Sequence, residues 1–334
     1  MDMNTETKQK KQITINKKNI LIVIAYIVAV IGCYLLLRHL IENKVLNRQY
    51  TALVIPVGIS IILSVSLNIT TGFLGELSLG HAGFMAIGAY AGAMITTLNP
   101  NMHSNLAMAI AMICGGVLAG FFGFLIGMPV LRLRGDYLAI VTLAFGEIIR
   151  SVINATPSLG GPAGIKKIPT YTNYTLVYVF VIITIFVAMH LKKSRHGRAI
   201  YAIKENYIAA EAMGIPVTKY KILAFTIAAF FAGIAGVFFA HYQRIIQPTY
   251  FDYNLSIDIL VFVVLGGMGS IKGTVIATII LRVLPEVLRN VGDLRKISYA
   301  LALIVIMIMN SSNLRERLKT FLSKKKTVKQ KGEN

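Results

Sequence analysis

Long apolar runs alternate with short polar links along the chain, and the long runs have the length of a bilayer. Ile20 to Leu37, Ala52 to Ile69, Leu106 to Met128, Thr175 to Leu191 and Ile222 to Ala240 are the five clearest. A helix needs roughly 18–20 such residues to cross the hydrocarbon core. The runs are continuous rather than alternating every second residue, which predicts helices and argues against a membrane barrel. Shorter runs lie at Tyr137 to Phe145, Ser256 to Leu265, Val275 to Leu284 and Ile297 to Met309. With the glycine-rich stretch Thr71 to Met94 they bring the expectation to about ten membrane segments, some short or broken. The fold class is therefore all-α, a polytopic transmembrane helical bundle.

Two stretches break the pattern with glycine. Thr71 to Met94 carries Gly72, Gly75, Gly80, Gly83, Gly88 and Gly92 together with Glu76, Ser78 and His81. Leu265 to Thr274 reads Leu-Gly-Gly-Met-Gly-Ser-Ile-Lys-Gly-Thr. Each follows a clean span by one or two segments, Ala52 to Ile69 and Ile222 to Ala240, and the two spans run in opposite directions. That pattern suggests two inverted repeats whose broken helices meet near the midplane. Gly88 and Gly92 form a Gly-x-x-x-Gly face that permits close helix contact.

A polar island, Leu191 to Pro216, separates two of the apolar runs. Ala199 to Met213 inside it holds good helix formers and neither Gly nor Pro, so it predicts one helix, stopped by Gly214 and Pro216. A short helix outside the bilayer is either a handle for a soluble partner or a basic loop that only fixes topology.

Composition agrees with a membrane protein: 55% of the 334 residues are hydrophobic and 14% are charged. The net charge of +20 would suggest nucleic acid in a soluble protein. Here it is gathered at the N-terminal end (Lys8, Lys10, Lys11, Lys17, Lys18), in the island (Lys192, Lys193, Arg195, Arg198, Lys204) and at the C-terminal end (Arg315, Arg317, Lys319, Lys324, Lys325, Lys326, Lys329, Lys331). The positive-inside rule places all three in the cytoplasm. The division is then 1–19 as a basic tail, 20–310 as the membrane domain with a cytoplasmic loop at about 192–221, and 311–334 as a second basic tail. The tails suit contact with anionic lipid, and no nucleic-acid motif interrupts them.

Enzyme chemistry finds no foothold. The stretch Gly266 to Gly273 lacks the Gly-Lys-Ser/Thr ending of a phosphate loop. No metal motif or nucleophile-base arrangement occurs, and Cys33 and Cys114 lie singly in apolar runs. No catalytic, cofactor or metal site is expected. Ionisable groups at membrane depth normally face a watery path or the protein interior, which makes Glu76, Ser78, His81 and Asp258 candidates for a translocation path. The alternative for the first three is capping of a short helix near the cytoplasmic surface. Glu147 and Arg150, three apart, could pair on one helix face.

These residues resemble a known family. Gly75 to Tyr90 (Gly-Glu-Leu-Ser-Leu-Gly-His-Ala-Gly-Phe-Met-Ala-Ile-Gly-Ala-Tyr), Leu131 to Leu143, Gly160-Gly-Pro-Ala-Gly164, Ser194 to Ile215, Ala240 to Gln243 and Ser256 to Arg289 are similar, in order, to the signatures of ABC importer permeases for branched-chain amino acids. The resemblance covers roughly Ala52 to Arg289 and looks more like the LivM-type subunit than its LivH-type partner. It implies a permease in the bacterial cytoplasmic membrane that carries out no covalent chemistry. Its partners would be separate ATPase subunits that bind the ATP, a second homologous permease and an external binding protein that delivers leucine, isoleucine or valine. It also implies that the island is the ATPase-coupling segment, with Gly197, Arg198, Ala199, Glu205, Ala209, Ala210, Glu211 and Gly214 as its contact residues. Arg198 and Glu205 would supply polar contacts, and Ala209, Ala210 and Met213 a small apolar face. Departures at Glu76, Tyr207, Arg244, Gln247 and Thr274 bear on the cargo more than on the architecture, and the ending Asn310-Ser-Ser-Asn-Leu lacks the family's usual Pro-Gly. Urea, short amides or a sugar are the alternative cargoes. A proton-coupled carrier acting alone, with Asp258 as relay, is the alternative of a different class.

Overall fold

The computed structural model describes residues 31–36, 38–43, 47–131 and 135–288, together with Ala300 and Ile304. The expected last crossing at Ile297 to Met309, both basic tails, Arg132 and Arg134 fall wholly or almost wholly outside these residues. The first crossing is described only from Ile31. The chain divides into two compact units, 1–52 and 53–334. In the first, Arg38 pairs with Glu42 at 2.8 Å along one helical turn.

From Arg48 onward the described chain is helical. The helices are α1 (Arg48–Asn68), α2 (His81–Leu98), α3 (Ser104–Val130), α4 (Asp136–Ala155), α5 (Tyr174–Lys193), α6 (Arg195–Glu205), α7 (Tyr207–Ala212), α8 (Val217–Gln243), α9 (Tyr253–Gly266) and α10 (Ile271–Val287). A π-helical turn, Ile69–Leu74, extends α1 and ends at Gly75 in the left-handed conformation. Among the described residues six stretches are long and apolar enough to cross a membrane: Gln49–Leu74, Ser104–Val130, Asp136–Ala155, Tyr174–Lys193, Val217–Gln243 and Pro248–Gly266. The short apolar run at Tyr137 to Phe145 thus belongs to a full-length helix. α2 falls outside the six because glycine, His81 and two threonines dilute its apolar content. α10 falls outside because its 17 residues reach only about 25 Å at 1.5 Å per residue, short of the ~30 Å hydrocarbon core.

The core is a packed set of α2, α3 and α8. Their shared surfaces are built of small residues, so the backbones come into direct contact. A Cβ on Gly88 would run into the Gly233 carbonyl of α8, and one on Gly236 into the Met85 carbonyl of α2. The glycines of α3 do the same work. Gly115 meets Gly88 and Val237, Gly116 meets Phe230 and Ile234, and Gly127 faces Phe225 and Ile222. Successive glycines of α3 thus meet α8 in descending order, so these two helices run antiparallel. The predicted close-contact face on α2 is real, and its partner is α8.

At the far end from the island the loops are pinned together. Ile165 and Ile246 exchange two backbone hydrogen bonds of 3.0 Å each. Gly160, Gly161 and Gly164 all take positive φ in the turns that follow α4, as that stretch's glycine content predicts. Thr172 donates to the Phe238 carbonyl at 2.9 Å, holding the entry of α5 against the end of α8.

Candidate functional site: the island and the two broken helices

Ser194 ends α5 and caps α6. Its Oγ accepts from the Gly197 N–H at 3.0 Å. The corner is tight, because a Cβ on Gly197 would strike the Leu191 carbonyl. Gly197 is buried here and shapes the bend rather than presenting itself to a partner.

The single helix expected over Ala199 to Met213 is two helices. α6 starts earlier, at Arg195, and the break falls at Asn206. Asn206 leaves the helical conformation, and its Oδ1 accepts from the N–H groups of Ile208 and Ala209, both at 3.1 Å. Asparagine is among the best N-cap residues because its side chain satisfies those orphan donors. The signal was present in the sequence, but a search for Gly and Pro alone passes over it. Gly214 ends α7 as expected. It takes φ +79°, and Ile215 N–H reaches back to the Ala210 carbonyl at 3.0 Å.

On the outer surface of this segment Arg198, Glu205, Ala209, Glu211 and Gly214 are exposed, and Ala199 is half-buried. Ala210 is not part of that surface: it is 4% exposed and packs into the protein's own core. Its expected place in the apolar face is taken by Ile208, 63% exposed, beside Met213 at 82%. Ile208 on α7 and Met213 just after it are large apolar side chains that the described residues leave mostly uncovered.

The inner surface of the island reaches the two glycine-rich breaks, and those breaks touch each other. The Gly269 N–H donates to Asn68 Oδ1 at 2.8 Å, and Asn68 Nδ2 donates to Thr274 Oγ1 at 3.0 Å. One turn away, the hydroxyls of Ser64 and Thr278 meet at 2.7 Å. A Cβ on Gly72 would collide with Asn68 Oδ1 and the Gly269 nitrogen, so Gly72 is needed for the approach, and Gly269 takes a left-handed φ of +86° that favours glycine. Lys192 Nζ donates to the Gly269 carbonyl at 2.8 Å, and Lys204 Nζ to the Gly72 carbonyl at 2.9 Å. Lysine at the carbonyl end of a helix satisfies groups the helix leaves open and suits its dipole. Lys192 also lies 5.7 Å from the Phe73 ring and 5.6 Å from that of Tyr201, and these rings pack on each other at 5.5 Å. Burial among these groups raises the Tyr201 phenol above its ordinary pKa. The breaks therefore meet beside the island, at the ends of the spans Gln49–Leu74 and Pro248–Gly266 rather than half-way along them, and the island's lysines are bonded to both.

The four candidate path residues part company. Glu76 forms an ion pair with Lys221 at the start of α8, both side chains largely buried. It lines a cavity of about 250 Å³ with Lys204, Tyr207 and Asp136, next to the island. Ser78 is 1% exposed, and its hydroxyl has no hydrogen-bond partner among the described residues. His81 is buried at the start of α2, with Nε2 2.9 Å from the Ser66 hydroxyl. Asp258 lies elsewhere, on α9, in a separate cavity. Glu147 and Arg150 do pair, at 2.7 Å. Among the described residues no group of three or more His, Cys, Asp or Glu side chains could hold a metal ion.

Comparison with known proteins fits this arrangement. The family model described as branched-chain amino acid transport system / permease component matches residues 49–310. The chain belongs to this family. The LivM permease protein of the high-affinity branched-chain amino acid transport system of Escherichia coli K12 is 34% identical over 333 aligned residues, covering 89% of this chain and 75% of that one. The LivH permease protein of Salmonella typhimurium is 25% identical over 273, covering 74% and 88%. The L-arabinose ABC transporter permease protein AraH of Azospirillum brasilense is 30% identical over 240, covering 66% and 65%. No solved structure matches.

Proposed function

We propose that this chain is the LivM-type membrane-spanning subunit of an ABC importer for branched-chain amino acids, working in a bacterial cytoplasmic membrane. ATPase subunits grip the exposed face of α6 and α7, a second homologous permease completes the pore, and an external binding protein delivers the cargo. The chain catalyses no covalent step. Ten crossings, with both termini in the cytoplasm, follow if α2 and α10 cross as well as the six long stretches and one further segment lies at each end.

The observation that carries this reading is the two-sidedness of the island. Its outer face offers Ile208 and Met213 to a partner, while its inner face is bonded through Lys192 and Lys204 to the broken ends of α9 and α1. A push on α7 therefore reaches the two breaks through α6 and the end of α5, which carry Lys204 and Lys192, and broken helices that rearrange are how many transporters alternate access. The AraH relative favours a sugar as the second cargo reading. Greater identity and coverage support the amino acid.

The test is Ile208→Ser with Met213→Ser in the reconstituted transporter. Loss of interface anchors predicts at least a tenfold fall in ATP-driven leucine uptake and loss of the co-purifying ATPase, at about 2 kcal/mol for a hot-spot residue. Unchanged uptake would remove the handle.

A further inference from the structure

Nearly every ionisable side chain that the described helices carry into the apolar span is answered within the chain. Glu76 has Lys221, Glu147 has Arg150, His81 has Ser66, and His241 has Thr96 at 3.1 Å. Asp258 on α9 and Arg282 on α10 are different. These two helices form an antiparallel hairpin closed by the turn at 267–270, which brings opposite charges into one cavity of about 340 Å³. Arg282 is close enough to act on the charge of Asp258, yet no ion pair joins them among the described residues. The remaining wall is mostly apolar: Leu53 and Pro56 of α1, Phe262, Leu281 and Pro285, with Glu286 at one side.

Separated opposite charges above apolar walls complement a zwitterion with an aliphatic side chain. The volume lies at the small end of the range for small-molecule pockets, about 300–1,000 Å³. We infer that Asp258 and Arg282 form an amino-acid-binding subsite in this permease: the Arg282 guanidinium takes the substrate's α-carboxylate, the Asp258 carboxylate takes its α-ammonium, and Leu53, Pro56, Phe262 and Leu281 receive the side chain. A guanidinium suits a carboxylate because its planar fork can donate two parallel hydrogen bonds. The subsite gives the membrane subunit a selectivity of its own, separate from that of a binding protein. It rests on the proposal that the cargo is an amino acid.

The test uses the assembled transporter in detergent without binding protein or ATP, and measures binding of leucine, of leucinol (no carboxylate) and of 4-methylpentanoate (no amine). Wild type should bind leucine saturably and each analogue at least about tenfold more weakly, since a site built for a polar group rejects a ligand lacking it. Arg282→Gln should abolish the preference for leucine over leucinol and keep that over 4-methylpentanoate. Asp258→Asn should do the reverse. If either variant binds nothing, Arg282→Lys or Asp258→Glu must restore leucine binding, and failure to do so overturns the subsite. Equal weakening of all three ligands, or no saturable leucine binding by wild type, also overturns it. ATP-driven leucine uptake by the wild-type transporter with its binding protein is measured alongside. If uptake is present while the discrimination pattern fails, only the subsite is lost; if leucine uptake is absent, the amino-acid cargo itself is wrong.

Discussion

The α2–α3–α8 core and the α1–α9–α10 region are both built from helices and glycine, but they are held together in opposite ways. In the core, glycine brings backbone against backbone and the interface is apolar: Gly88 on Gly233, Gly236 on Met85, Gly233 on Gly115. In the second region the same closeness, Gly72 on Gly269, is overlaid with polar bonds from Asn68, Ser64, Thr274 and Thr278 and with two lysine ammonium groups. Dispersion contacts fall off steeply with separation, so a tightly packed interface has one arrangement and resists sliding. Hydrogen bonds to carbonyls and hydroxyls can be exchanged for others, or for water, at small net cost. The core is therefore suited to be the frame and the second region to be what moves, with the island attached to the moving part.

The largest effect should come from the frame. Gly88→Leu places a branched side chain where the Gly233 carbonyl stands. Overpacking of a closed interface costs about 3 kcal/mol or more when the neighbour is backbone. The variant should lose its monodisperse size-exclusion peak or melt far below wild type. A variant that melts like wild type would show that the frame yields, and the contrast between the two regions would vanish.

Lys204→Ala should do less to stability and more to function. It removes a charge-assisted hydrogen bond to the Gly72 carbonyl, worth about 1–2 kcal/mol. Because Lys204 is partly exposed, the lower figure applies. The expected result is a folded transporter that still co-purifies with its ATPase but imports leucine several-fold more slowly per ATP hydrolysed. That pattern separates the inner face of the island from its outer face, where the Ile208 and Met213 change should detach the ATPase itself. Equal uptake per ATP in wild type and Lys204→Ala would leave the lysine as a topological charge only.

How much of this was legible depended on whether the partner lay nearby in sequence. The long spans from Ala52 onward, the close-contact face of α2, the Gly214 stop and the Glu147–Arg150 pair are local patterns, and each stands in the structure where the sequence puts it. The pairing of Glu76 with Lys221 links residues 145 apart, and Lys204 reaches a carbonyl 132 residues away. No periodicity encodes such contacts, so the sequence shows the island's lysines only as a topology signal and leaves Glu76 between a path residue and a cap near the cytoplasmic surface. The Ser64–Thr278 and Asn68–Thr274 bonds do have a local trace: each helix carries its two polar residues four apart, on one face. That trace identifies a polar stripe but not its partner. Ala210 was carried into the contact face by the family resemblance, and a resemblance does not say which side of α7 packs on the chain's own core, where Ala210 lies.

The smallest effect tests that break. Asn206→Ala removes the acceptor for the Ile208 and Ala209 N–H groups, and loss of an N-cap costs about 1 kcal/mol. Alanine is also a strong helix former, so the variant should favour one continuous helix over Arg195 to Ala212. The melting temperature should barely change, since α7 is short and mostly exposed. The orientation of α7 should change, because continuing α6 through position 206 turns Ile208 and Met213 to a different face. A spin-label pair at the exposed positions 198 and 209 would report this as a new distance, together with weaker ATPase binding. If the distance and the binding both stay as in wild type, the break is fixed by packing of Ala210 and Ile215 rather than by the cap, and the handle belongs with the rigid frame instead of the moving region.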